Sequence, residues 1–132
     1  MVNLSRGMAS QITTEGIELN EKFLQALEVM EKSGNNVFIT GKAGTGKSTL
    51  LEHFKKTTKK KIAVLAPTGV AALNVGGQTI HSFFRFSPDI TPSAIQPQNV
   101  SNKKLYKAIE SIVIDEVSMV RADLLDCMDK FL

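Results

Sequence analysis

The segment Gly41-Lys42-Ala43-Gly44-Thr45-Gly46-Lys47-Ser48 fills the pattern G-x-x-x-x-G-K-[ST] at every position. In such a loop, glycines let main-chain N–H groups turn inward around a polyphosphate. A lysine reaches its β- and γ-phosphates and a hydroxyl ligates Mg²⁺. Lys47 is thus the candidate phosphate-binding catalytic side chain and Ser48 a candidate metal ligand. Gly41, Lys42, Ala43, Gly44, Thr45, Gly46 and Thr49 complete the candidate nucleotide contacts. A ligand-free turn between strand and helix would need neither Lys47 nor Ser48.

A second group, Ile112-Val113-Ile114-Asp115-Glu116, is an apolar run ending in two acids, the form of a Walker B site. Asp115 is the candidate to hold Mg²⁺ with Ser48, through water. Glu116 is the candidate to orient or deprotonate a water attacking the γ-phosphate. Taken alone, the pair reads as a solvated acidic turn after a strand; the phosphate loop upstream turns the balance toward catalysis. A third group runs from Ala66-Pro67-Thr68-Gly69 through Leu73 and on to Gly76-Gly77-Gln78-Thr79-Ile80-His81-Ser82-Phe83-Phe84. Thr68 and Gly69, just past a strand, offer a hydroxyl and an N–H to a phosphate oxygen. His81 and the two phenylalanines have ordinary readings as an exposed or satisfied histidine and as core.

Elements must position these groups. Val37-Phe38-Ile39-Thr40 reads as a strand entering the phosphate loop, and Ser48 to Phe54 as the helix leaving it. Upstream, Leu19, Phe23, Leu27 and Met30 share one helical face between Ile17 and Lys32, and Ser33-Gly34-Asn35-Asn36 stops that helix. Residues 1–16 show no periodicity and are expected to be a flexible leader. Ile62-Ala63-Val64-Leu65-Ala66 and Ser111-Ile112-Val113-Ile114 read as strands buried on both faces. A short helix is expected at Val70 to Leu73, another at Lys103 to Ile109, and an amphipathic one from Val120 to Leu132. Ser87 to Asn102, with three prolines, reads as a long loop. Strands alternating with helices argue for a parallel sheet covered on both faces.

The chain has 132 residues, 42% of them hydrophobic and 22% charged, with net charge +3. That suits one compact domain with an ordinary core, and its mild basic bias permits a nucleic-acid partner without requiring one. Cys127, the single cysteine, excludes an internal disulfide framework and points to a reducing compartment; its neighbours Leu124, Leu125 and Met128 suit a buried small hydrophobe. No apolar run has the length of a membrane span, and a signal-peptide core is missing from the N-terminus. An intracellular protein is expected, cytoplasmic if bacterial, nuclear or mitochondrial if eukaryotic. The lysines at 55, 56 and 59–61 read first as the solvated end of a helix.

The blocks GKAGTGKSTLL, APTGVAALNVGGQTIHSFF and VIDEVSMV together resemble the Pif (petite integration frequency) helicases, in the RecD-like class of superfamily one. The resemblance runs from about Leu19 to Leu132, and the second block and DEVSM carry most of its specificity. It implies an α/β fold of the P-loop NTPase type: a RecA-like parallel sheet with helices on both faces, residues 17–132 forming the N-terminal part of the first motor domain. It implies ATP and Mg²⁺ at Gly41–Ser48 and Asp115-Glu116. It further implies contacts to single-stranded DNA from Pro67, Thr68 and Gly69, continued by Thr79, His81 and Ser82. The family's work is ATP-driven 5′→3′ movement on single-stranded DNA, opening duplex junctions and G-quadruplexes in replication, repair, recombination and telomere maintenance; a monomer is expected. Leu24 stands where the relatives' adenine-reading glutamine belongs, with Gln25 one residue later. The later ATPase motifs, the arginine finger and the second motor domain are not in these 132 residues. Losing a transition-state arginine costs about 10³–10⁵ in rate, so weak nucleotide binding and slow hydrolysis are expected of this piece. The rival readings are a phosphate-loop ATPase uncoupled from DNA, and a non-catalytic nucleotide- or DNA-binding fragment.

Overall fold

The computed structural model describes residues 21–96 and 103–132 in full, and three two-residue strands before them by their main chain. The chain divides into two compact units, Met1–Lys59 and Lys60–Leu132.

In the first unit, β1 (Val2–Asn3), β2 (Ser10–Gln11) and β3 (Leu19–Asn20) precede α1 (Glu21–Lys32), β4 (Ile39–Thr40) and α2 (Lys47–Thr57). β1 runs parallel to β4, pairing Val2 with Ile39 and Asn3 with Thr40, while β2 and β3 form an antiparallel pair. The expected flexible leader 1–16 thus contains β1 and β2, and its remaining residues lie outside the described ones. Hydropathy patterning could not show this, because such pairing is made by main-chain groups that every residue carries. The expected helix from Ile17 starts later, at Glu21, since Leu19 and Asn20 are taken by β3. The expected strand at 37–40 shortens to its last two residues.

The core of this unit forms where α1 meets α2. Phe23, Ala26 and Leu50 are buried, with Leu27, Met30 and Ile39 packed around them. The Phe23 ring also meets His53 edge-on, with centroids 6.1 Å apart. Burying Phe54 and Leu50, 2% and 1% exposed, contributes roughly 1.5–3 kcal/mol each. The far ends of both helices are tied by one carboxylate. Glu31 accepts from the Thr58 hydroxyl at 2.6 Å and from the Lys59 N–H at 3.3 Å. This packing holds α2, and so the loop that feeds it, in a fixed direction.

The second unit contains β5 (Ile62–Ala66), α3 (Gly69–Asn74), β6 (Gln78–Thr79), α4 (Ile80–Phe84), α5 (Lys103–Ala108), β7 (Ser111–Ile114) and α6 (Ala122–Phe131). Single 3₁₀ turns occur at Pro92–Ala94 and Val117–Met119. The sheet is parallel with order β6-β5-β7. Its register runs from Ile62↔Ser111 to Leu65↔Ile114 on one side of β5, and Leu65↔Gln78, Ala66↔Thr79 on the other. The β-branched residues of β5 and β7 suit such a sheet, but burial is less complete than the apolar runs imply. Only Ala63, Leu65 and Ala66 of β5 are buried, and β7 is half-buried along its length. Within this unit, the described residues pair β7 on one edge only, through β5. Of the expected loop 87–102, residues 97–102 lie outside the described ones.

An apolar core of Leu65, Ile80, Phe84, Phe86, Cys127 and Met128 joins the sheet to α4 and α6. Cys127 is fully buried, and that burial pushes its thiol pKa up, which suits the small hydrophobe expected of it. Phe83, Phe84, Phe86, Tyr106 and Phe131 make edge and stacked ring contacts with centroids 4.9 to 6.1 Å apart. The Tyr106 hydroxyl donates to the Phe83 carbonyl at 2.9 Å, which anchors α5. No helix among the described residues is long and apolar enough to cross a membrane.

The turn between α3 and β6 depends on a missing side chain. A Cβ on Gly77 would stand 2.3 Å from the Val64 carbonyl oxygen and 2.9 Å from its carbon. Those are main-chain atoms of the central strand, so they cannot swing aside. Gly77→Ala is therefore expected to destabilise the protein by about 1–3 kcal/mol, read as a lowered urea midpoint by circular dichroism.

Candidate nucleotide and nucleic-acid sites

The first unit presents the phosphate loop. β4 delivers the chain at Thr40, and Gly44 and Gly46 then turn with φ of 75° and 88°. A Cβ at either would meet nothing within 4 Å, so glycine is needed there for its backbone freedom and not for space. Thr45 closes the turn, its hydroxyl donating to the Lys42 carbonyl at 2.7 Å. Gly46 is the N-cap of α2, and no side chain caps that helix end. The first turn carries no acid either. Main-chain donors and the positive end of the helix dipole are therefore left for an anion.

Lys47 folds back over the loop and donates from Nζ to the carbonyls of Gly41 at 2.7 Å and Lys42 at 3.0 Å. An ammonium has three donors, so this posture leaves one for a phosphate oxygen. Ser48 and Thr49 are exposed on the first turn of α2. The loop residues thus fit a polyphosphate. Among the described residues no cluster of three or more His, Cys, Asp or Glu forms a metal cage. Leu24 and Gln25, the two candidates for the adenine-reading position, are both exposed on α1.

The second unit presents the acidic pair and the threonines. The Asp115 N–H bonds the Leu65 carbonyl at 2.9 Å, extending the β5–β7 ladder by one residue. Asp115 is half-buried and Glu116 exposed. Glu116 adopts the left-handed conformation, φ 51° and ψ 39°, and its carbonyl accepts from the Met119 N–H at 2.9 Å. The strand therefore ends abruptly: one acid stays in the ladder while the next is turned out.

Thr68 and Thr79 play matching parts on adjacent strands. The Thr68 hydroxyl accepts the Ala71 N–H at 3.2 Å and caps α3; the Thr79 hydroxyl accepts the Ser82 N–H at 3.1 Å and caps α4. Because Ala66 pairs with Thr79, both caps stand at the carboxyl edge of the sheet. A hydroxyl that accepts an N–H keeps its own proton to donate. Pro67 and His81 are half-buried, and Gly69 and Ser82 are exposed, around these caps. Sequence reasoning found the hydroxyls but missed the surface beside them: Val70 and Leu73 of α3 are 72% and 81% exposed. Their i, i+3 spacing was the signal, pointing outward from a helix whose Ala72 faces the core.

Left-handed backbone is costly for a residue with a side chain. Elsewhere Ala is more stable than Gly, but at position 116 the order should reverse. Glu116→Gly is expected to exceed Glu116→Ala by about 1 kcal/mol in equilibrium urea unfolding. Equal midpoints would remove the strain argument.

Comparison with known proteins gives a consistent picture. The family profile described as PIF1-like helicase matches residues 12–132. The ATP-dependent DNA helicase Pif1 of Bdellovibrio bacteriovorus is 38% identical over 124 residues, covering 89% of this chain and 28% of that protein. PIF1 of Saccharomyces cerevisiae is 40% identical over 109 residues, covering 76% of this chain and 13% of its own length. Among solved structures, Bacteroides Pif1 with ADP-AlF4 superposes with a TM-score of 0.79 at 41% identity, over 88% of this chain and 28% of that one. The same helicase bound to single-stranded DNA superposes with a TM-score of 0.77 at 40% identity, over 88% and 28%. The chain thus spans less than a third of each of these relatives.

Proposed function

The chain belongs to the PIF1-like helicase family, and from that premise we propose that it carries the ATP-binding part and part of the DNA-binding surface of an ATP-dependent DNA helicase. The observation that carries this reading is the phosphate loop: Gly46 at φ 88° opening an uncapped α2, with the Lys47 ammonium laid over the loop. Bacteroides Pif1, which shares this fold, is solved with ADP-AlF4 and with single-stranded DNA.

The roles follow residue by residue. The main-chain N–H groups of Gly44 to Thr49 and the Lys47 ammonium hold phosphate oxygens. Ser48 supplies a hydroxyl, and Asp115 a carboxylate, for Mg²⁺. When bound, that ion neutralises charge on the phosphate oxygens. Glu116, turned out of the strand, accepts the proton of the attacking water. Thr68 and Thr79 donate their hydroxyl protons to backbone phosphates of single-stranded DNA, with Gly69 and Ser82 offering N–H or hydroxyl groups and His81 lying beside them. Such contacts position the strand without reading its sequence.

The finer parts of the proposal come from the family resemblance: 5′→3′ movement, action on duplex junctions or G-quadruplexes, service in repair, replication, recombination or telomere maintenance, and work as a monomer. A buried lone cysteine supports an intracellular setting.

Two substitutions test the reading. A hydrogen bond from a charged donor contributes roughly 1.5–3 kcal/mol, so Lys47→Ala should weaken nucleotide binding by about 10- to 100-fold. Unchanged affinity in a calorimetric titration would end the phosphate-loop assignment. Thr68→Asp keeps a good N-cap acceptor but sets a negative charge against a DNA phosphate. It should preserve thermal stability and weaken oligo-dT binding at least about tenfold, while Thr68→Ser keeps both. Equal DNA affinity in the Asp variant would leave a nucleotide-binding module whose α3 cap does not touch DNA.

A further inference from the structure

We infer that the amino edge of the second unit's sheet, opposite the edge bearing Asp115 and the capping threonines, is a binding surface for the phosphate backbone of duplex DNA. The inference rests on the DNA-helicase reading above and adds to it a second nucleic-acid contact.

The surface is made by Lys61, Lys103, Lys104 and Lys107. Lys61 immediately precedes β5, and its main chain is clipped to Glu110. Its N–H donates to the Glu110 carboxylate at 2.8 Å, and its carbonyl accepts the Glu110 N–H at 2.8 Å. That clip sets the end of α5 beside the start of β5, where Ile62 pairs with Ser111. α5 is oriented by Tyr106, whose hydroxyl bonds the Phe83 carbonyl and whose ring packs on Phe83, Phe84 and Phe131. With Tyr106 turned inward and about 100° between successive helical residues, Lys103, Lys107 and Lys104 fall in sequence on one flank, within an arc of about 100°. Leu105 falls on the other side of Tyr106. All four lysines are exposed, and no ion pair among the described residues involves them. Glu110, immediately before β7, is engaged by the Lys61 N–H.

Lys61 stands at the opposite end of β5 from the carboxyl edge. From Ile62 to Ala66 the strand climbs about 13 Å at roughly 3.3 Å per residue. A strand held at the capping threonines would therefore not lie on Lys61 as well.

The chemistry selects the partner. Protein interfaces are anchored by buried aromatic or apolar side chains, and the lysine flank has none. Membrane surfaces bind helices that pair a basic face with a broad apolar one, and the six-residue α5 offers a single large exposed apolar side chain, Leu105. Single strands are bound on aromatic platforms where bases stack, and the only aromatic residue of α5 points inward. What remains is charge without a stacking group, which is what a duplex backbone needs.

The test is fluorescence anisotropy of the chain with a short blunt DNA duplex and, separately, with oligo-dT, across a salt series. The variants are the quadruple Lys→Gln at 61, 103, 104 and 107, and the matching quadruple Lys→Arg. Each neutralised phosphate contributes about 0.9 to the slope of log K against log salt, so the Gln variant should lose about 3–4 of that slope on duplex. Arg should restore it, and oligo-dT binding should be unchanged in both. An unaltered duplex slope in the Gln variant would overturn the inference, as would an equal loss on oligo-dT. Binding of polyglutamate that depends on the same lysines would overturn it in favour of an acidic protein. A wild-type chain that binds oligo-dT but not duplex defeats this inference alone. One that binds neither DNA defeats the helicase reading beneath it.

Discussion

The parallel pairing of β5 with β7 sets the level of the acidic pair and the capping threonines in the second unit. Four residue pairs, from Ile62↔Ser111 to Leu65↔Ile114, put two strand ends at the same height, and the Asp115 N–H continues the ladder to the Leu65 carbonyl. β6 joins on the other side of β5 through Ala66↔Thr79. An acid and two capping threonines are thereby brought to one edge by hydrogen bonds that involve no functional side chain. A slip of one residue would turn Asp115 to the opposite face of the strand. The half-buried apolar side chains of β7 and the core beneath them oppose such a slip.

The same edge uses side chains economically. Thr68 and Thr79 each stabilise a short helix by accepting an N–H, and that acceptance leaves the hydroxyl proton free to donate. The helix cap and the DNA contact proposed for these residues thus fall on one atom, and a substitution there tests both unless it keeps the acceptor. Glu116 shows the opposite arrangement. Its left-handed backbone opposes stability, and the compensation comes from neighbours: the ladder bond at Asp115 and the 3₁₀ turn that follows.

Much of this was legible beforehand, and the reasons differ by element. β5 and β7 were found to the residue because apolar runs bounded by a charged residue, Lys61 or Glu110, on one side and by Pro67 or Asp115 on the other leave little choice. The phosphate loop was legible because its chemistry requires specific residue types at fixed spacing. β6 and α4 went unassigned, since Gln78-Thr79-Ile80-His81 has neither a period of two nor of 3.6; Thr79 acts there as strand end and helix cap at once. β1 and β2 were invisible because they are made by main-chain pairing. The outward apolar face of α3 was missed because a four-residue stretch, Val70 to Leu73, is too short to reveal which side is buried.

The position of Tyr106 has an optical consequence. It is the only tyrosine, and the chain has no tryptophan. Its ring lies among Phe83, Phe84 and Phe131, and its hydroxyl is spoken for by a main-chain carbonyl. Intrinsic fluorescence of this protein therefore originates from a single residue, in the second unit alone. Loosening of the phosphate-loop unit that leaves this aromatic cluster intact would be silent in that signal, whereas undocking of α5 would change its intensity by breaking the hydroxyl's bond to the Phe83 carbonyl. The molecule carries a built-in reporter of one half of itself.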